Sequence, residues 1–174
     1  MARSKAAGIA GLISAFVFSV PGATWAQQEN ATPQEVVQRV KEAAAYLART
    51  GEPGLETFRS KDSPYVWKDS YVVVDSCELD QVIAHPIRPD DEGQPISALT
   101  DFAGKIFGPE LCEKIKQPQG GWVEYMWPKP GEKEPTRKIT YSLKVEGTPY
   151  LVDAGIYDDA VTIEELERIS GGQR

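Results

Sequence analysis

His85 is the only histidine in the chain, so a Ser-His-Asp or Cys-His machine would have to be built on it. No G-x-S-x-G stretch supplies a matching nucleophile elbow. Together with Cys77 and Cys112 it completes the set of soft metal ligands, too few for an ordinary zinc site. The acids Asp90, Asp91 and Glu92 are contiguous rather than spaced as in a calcium loop, and read as a solvated turn. No glycine loop of the Walker or dinucleotide-binding type occurs. An enzymatic role would rest on His85 alone. The expectation is therefore a non-enzyme with no cofactor and no metal.

A second grouping points to binding. "GGWVEYMWPKPGEKEPTRKITY", from Gly120 to Tyr141, carries two of the four tryptophans in the chain. In a strand, side chains alternate, so Val123, Tyr125 and Trp127 share one face and Trp122, Glu124 and Met126 the other. Large residues on both faces predict a sheet covered on both sides. Lys138 enters the following strand near the end of the Trp127 strand, and Tyr141 follows three positions later. A Lys, a Tyr and a Trp at one end of a sheet can form a small pocket. The ammonium would hold a carboxylate, a phenol would donate a second bond, and the rings would exclude water. The competing reading puts Lys138 at the surface edge and the rings in a plain core.

The elements that must position these residues follow from pattern. Thr32-Pro33-Gln34-Glu35 is a helix start with a Thr cap, Pro at the first turn and Glu at the third position. Val36, Val37, Val40, Ala43, Ala44 and Leu47 then line one helical face, and Gly51 stops the helix. A shorter helical piece follows Pro53. Tyr71–Val74 and Leu79–His85 are strand candidates joined by a turn at Asp75, Ser76 and Cys77. Short helical pieces are expected around Ala98–Phe102 and after Pro109. Trp122–Trp127, Ile139–Val145 and Tyr150–Tyr157 are three further strands. Thr162 caps a last short helix. The expected fold class is α+β, with a five-stranded antiparallel sheet behind a long N-terminal helix.

The N-terminus carries a different signal. Arg3 and Lys5 precede an uncharged, mostly apolar run from Ala6 to Val20, and small residues end it at Ala26. This predicts a secretory signal peptide over residues 1–26, and hence a periplasmic domain over 27–174. The alternative is an uncleaved helix retained as an anchor, although fifteen or so residues are short for a span. The whole chain has a formal charge of −7, and Arg3 and Lys5 lie in the leader, so the remainder is more acidic still. That argues against nucleic acid and against anionic membrane surfaces. A small anion remains compatible, because one buried cation can dominate a closed pocket. Export makes a Cys77–Cys112 disulfide possible, with two unpaired thiols as the alternative.

The ordered pieces resemble the single Cache family of extracytoplasmic sensor domains (the type 2 group). "YVVVDSCELDQVIAHP" resembles its first hairpin, and "ISALTDFAGKIF" its L-x-D-x-x-G segment, here Leu99, Asp101 and Gly104. "GGWVEYMWPKP" resembles its GWV-x-Y-x-W-x-x-P strand, "RKITY" its K-x-x-Y, and "YLVDAGIYDD" its closing strand. The resemblance spans about residues 33–160. It implies a PAS-like sheet behind a long helix, and a pocket for small metabolites, in this subgroup short monocarboxylates such as acetate, propionate, pyruvate and lactate. The residues it marks are Tyr71, His85, Tyr125, Trp127, Lys138 and Tyr141. Lys138 is assigned to the carboxylate, and Tyr125 and Trp127 to walls and a hydroxyl donor. His85 either touches ligand or caps the hairpin end, and Tyr71 either lines the site or joins the core. Leu99, Asp101 and Gly104 are expected to shape the cover. Family members usually carry membrane helices and a signalling domain, which this sequence lacks, so a stand-alone secreted sensor is expected. Its partner would be a membrane receptor or transporter. The rival is a protein-interaction domain with a vestigial pocket, docking such a partner through Trp67, Trp122 and Met126.

Overall fold

The computed structural model describes residues 29–171. The expected signal peptide, 1–26, lies outside the described residues. Helix α1 (Pro33–Thr50) begins at a capping box. The Thr32 hydroxyl accepts the Glu35 N–H at 3.2 Å, and the Glu35 carboxylate accepts the Thr32 N–H at 2.8 Å. It ends at Gly51, whose φ of 61° is a left-handed value that favours glycine. The six residues of its apolar stripe are all buried.

Among the described residues the strands are β1 (Val66–Trp67), β2 (Ser70–Ser76), β3 (Gln81–Ala84), β4 (Gly121–Pro128), β5 (Pro135–Lys144) and β6 (Leu151–Tyr157). The main path runs β1-β2-β6-β5-β4, and β3 also pairs with β2. All pairs are antiparallel. The five expected strands are present, with the two-residue β1 added. Two boundaries differ from the sequence reading. β2 continues through Asp75 and Ser76, because Asp75 pairs with Leu151 of β6 and Val82 of β3. Leu79 is not in a strand and is half exposed, because the Ser76 hydroxyl accepts its N–H and so closes the turn.

The sheet has two unlike faces. One carries Val72, Val74, Ile139, Tyr141, Val152, Ala154 and Ile156, which pack with the α1 stripe in the main core. Helix α3 (Ile163–Ser170) adds Leu166 to it. Trp122 also points this way, and its indole N–H donates to the Leu166 carbonyl at 3.0 Å. The other face is covered by the segment from 87 to 107 and by helix α2 (Gly108–Lys114). Cys77, just beyond β2, is bonded to Cys112 on α2 with their Cα atoms 5.9 Å apart. The bridge holds the cover against the end of β2.

A lysine pocket on the second sheet face

Alternation and register build the site. β4 places Tyr125 opposite Lys138 of β5, and β5 places Lys138 opposite Tyr157 of β6. Tyr71 reaches the same face from β2. Lys138 is only 3% exposed. Its Nζ lies 4.5 Å from the centre of the Tyr71 ring and 5.8 Å from the centres of both Tyr125 and Tyr157. It donates to the Tyr71 hydroxyl at 3.3 Å, a long contact. Burial works against the ammonium charge. The phenols of Tyr125, Tyr71 and Tyr157 and the Asp153 carboxylate outweigh it and hold the lysine well above its ordinary range.

Gly155 makes the lane in which this side chain lies. A Cβ there would stand 2.5 Å from Lys138 Cε and 2.7 Å from Thr140 Oγ1. Gly155→Ala is therefore expected to push the ammonium out of line. Acid binding should weaken by about tenfold or more, about 1.4 kcal/mol, the lower part of the overpacking range. Calorimetry on the folded variant checks this, and unchanged affinity would mean that the position of Lys138 does not matter to the ligand.

The walls are aromatic. Phe107 stacks on Tyr125 with ring centres 3.9 Å apart, and Trp127 stands edge-on to both. The Tyr125 hydroxyl is bonded to Thr140 Oγ1 at 2.9 Å, and burial pushes its pKa up to about 12. The cavity has a volume of about 40 Å³ and is lined by Tyr71, His85, Tyr125, Trp127, Lys138, Leu99 and others. One water needs roughly 10–15 Å³ on this measure, so the space suits a ligand of about three or four heavy atoms. A wider hollow adjoins it. Tyr71, Asp91 and Trp127 border both spaces. Arg88 lies over the Trp127 ring at 4.8 Å and is paired with Asp91 at 2.7 Å.

His85 caps the hairpin end, one of its two expected roles. Its Nδ1 accepts the backbone N–H groups of Ile87 and Arg88 at 3.2 and 3.0 Å, which leaves Nε2 to carry the proton of the neutral ring. The ring also lines the cavity beside Tyr71. Burial lowers its pKa to about 3, helped by the nearby charges of Lys138 and Arg88. A depressed folded value means that the unfolded chain takes the proton first. Stability from this group is therefore present above about pH 6.5 and lost as pH falls towards 3, by at most about 1.4 kcal/mol per pH unit. His85→Asn keeps an oxygen for the two backbone bonds and should remove this slope in urea unfolding curves. An unchanged slope would contradict the buried neutral imidazole.

Five of the six expected residues meet around the cavity: Tyr71, His85, Tyr125, Trp127 and Lys138. Tyr141 does not. Three positions from Lys138 is an odd step, so alternation turns it to the helix face. There it is fully buried against Trp122, and its hydroxyl donates to the Gln119 carbonyl. Leu99 differs in the other direction, since it lines the cavity as well as shaping the cover. Asp101 acts as expected. Its carboxylate accepts the N–H groups of Ala103, Lys105 and Met126 and ties the cover to β4. Burial alone would raise its pKa, but these bonds outweigh it and hold the acid below its ordinary range. Trp122 is 1% exposed, so it is not part of a surface docking patch.

Among the cavity residues that had not been anticipated are two buried acids, Asp75 and Asp153. Both are buried at the cavity wall. Burial raises the pKa of each, and Asp153 raises Asp75 further. Parity was the available signal: Asp75 is four positions after Tyr71, and Asp153 is two before Gly155.

Residues 23–168 match the family described as Single Cache domain 2, and the chain belongs to that family. A curated relative is the methyl-accepting chemotaxis protein McpP of Pseudomonas putida, 33% identical over 84 residues. That match covers 48% of this chain and only 15% of the receptor. Among solved structures, the chain resembles a periplasmic sensor domain of a chemotaxis protein, with 27% identity and a TM-score of 0.54 over 70% of this chain and 87% of the other. It also resembles a Cache chemosensory domain described for carboxylic acid recognition, with 27% identity and a TM-score of 0.56 over 71% and 88% of the two chains. A chemotaxis protein of Vibrio parahaemolyticus shares the fold at 18% identity, with a TM-score of 0.58 over 72% of this chain and 88% of that one. The chain is thus a Cache sensor domain, related to domains of chemoreceptors rather than to enzymes. No helix among the described residues is long and apolar enough to cross a membrane.

Proposed function

We propose that this domain binds a short monocarboxylate outside the cytoplasmic membrane, with Lys138 as the carboxylate anchor. The observation that carries this reading is a fully buried ammonium, caged by three phenol rings, at the wall of a small cavity. A carboxylate would replace the long Tyr71 contact with a shorter, charge-assisted bond. The His85 Nε2–H would serve as a second donor. Trp127, Phe107 and Leu99 would hold the acyl tail away from water. The cavity volume fits acetate most closely, and propionate better than the bulkier pyruvate and lactate. The likeness to a domain described for carboxylic acid recognition supports the class of ligand.

Residues 1–26 would act as a leader cleaved after Ala26, releasing 27–174 to the periplasm. Retention as an anchor is the other outcome that N-terminal sequencing of the exported protein would reveal. A membrane receptor or transporter is the partner expected to read occupancy. The binding reading is tested by thermal unfolding of 27–174, first unfolded and refolded to strip carried ligand. Acetate or propionate should raise the midpoint by mass action. No response to any short acid in a folded sample would remove the reading and favour an interaction domain.

A further inference from the structure

The chemistry of the cavity does not end at Lys138. Asp75 of β2 and Asp153 of β6 are 2% and 4% exposed, and their carboxyl groups contact each other at hydrogen-bond distance. Asp75 Oδ1 and Asp153 Oδ2 are buried and have no donor among the described residues. The Ser142 hydroxyl, on the residue paired with Asp153 across β5 and β6, is also buried without a partner. Two carboxyls in contact, away from water and without donors, cannot both be ionised. A single proton between them satisfies one oxygen of each and leaves the pair with one negative charge.

We propose that the Asp75–Asp153 pair is the proton-binding half of the ligand site: the pocket takes up a short monocarboxylate anion together with one proton, which the pair receives. This rests on the carboxylate reading above and deepens it. Without ligand, the singly charged pair balances the Lys138 ammonium, and the cavity lining is neutral. An entering anion claims Lys138 and would leave the pair as uncompensated negative charge in a poorly solvated space. Uptake of one proton restores neutrality. The bookkeeping is closed, since solvent supplies the proton and no bond in the ligand changes.

The other groups facing the pair do not compete for that proton. His85 uses Nδ1 to accept two backbone bonds and sits near Lys138 and Arg88. Asp91 is paired with Arg88 at the mouth. The rings of Tyr71, Tyr125 and Tyr157 surround the ammonium instead. The pair then also sets specificity. The cavity lining holds no Lys or Arg besides Lys138, so a second negative charge on a ligand seated there disfavours dicarboxylates. Acid affinity, expressed per anion, rises by up to about tenfold for each unit of falling pH while the free pair holds one proton and the bound pair two.

The test is calorimetry of refolded 27–174 with acetate and with propionate, at one pH, in phosphate and in Tris. The difference in apparent heat between the buffers gives the protons exchanged. Uptake of close to one proton per acid bound is expected, together with affinity that falls between about pH 6 and 8. The double variant Asp75→Asn/Asp153→Asn, checked for folding by circular dichroism, should bind acid with little proton uptake and a flat pH profile. Acid binding with no proton uptake and no pH dependence in the wild type would overturn the proposal while leaving the carboxylate reading in place. Tighter binding of glycine than of acetate, without proton uptake, would overturn it too, because the pair would then be an ammonium site. No binding of any monocarboxylate to a folded sample would overturn both readings at once.

Discussion

Replacing Lys138 with methionine is expected to weaken acetate or propionate binding by at least about 100-fold. Methionine matches the length of the aliphatic stem and fills the lane over Gly155, so packing is largely kept. What disappears is the one buried cation at the cavity wall. Removing one partner of a desolvated charge pair typically costs about 2–5 kcal/mol of binding, and 100-fold corresponds to about 2.7 kcal/mol. Lys138→Arg is not expected to rescue. The guanidinium is larger and planar, and the lane is bounded by Gly155, whose added Cβ would already stand 2.5 Å from Lys138 Cε. Calorimetry on both variants checks this. Wild-type affinity in the methionine variant would show that the carboxylate does not sit on Lys138.

The second large effect lies on the opposite sheet face and should separate stability from binding. Trp122→Ala empties a site that is 1% exposed and breaks the indole bond to the Leu166 carbonyl that ties α3 to β4. Large-to-small changes at buried aromatics destabilise by about 3–5 kcal/mol. The unfolding midpoint in urea should fall accordingly. Acid affinity, measured where the variant remains folded, should stay within about twofold of wild type, because Trp122 faces α1 and α3 rather than the cavity. Tyr141→Phe is the milder control. It removes the bond to the Gln119 carbonyl, worth about 1 kcal/mol, and should leave binding unchanged. A large loss of affinity in Tyr141→Phe would return that tyrosine to the site.

Local signals in the chain carried much of the fold. The Thr32 capping box, the 3.6-residue apolar stripe and Gly51 mark α1 because each is a short-range interaction. The strands were visible from β-branched runs. The end of β2 was not, because "DSC" has turn chemistry and only pairing with β3 and β6 keeps Asp75 and Ser76 extended. The site was partly legible. Lys138, Tyr125 and Trp127 follow from alternation within two strands. Tyr141 was grouped with them by nearness in sequence, and an odd step turned it to the other face. Asp75 and Asp153 are 78 positions apart in sequence, and their meeting depends on the β2–β6 register. Gly155 offers no side chain to notice, and its importance is the space it leaves for Lys138. Phe107 reaches Tyr125 from the cover, whose placement is held by Asp101 and by the Cys77–Cys112 bond.

The most direct measurement is a crystal structure of refolded 27–174 grown with saturating propionate. The account predicts one propionate in the cavity, a carboxylate oxygen about 2.8 Å from Lys138 Nζ, and the ethyl group against Trp127 and Phe107. An empty cavity at saturating acid, or propionate held only in the outer hollow beside Arg88 and Lys129, would contradict it.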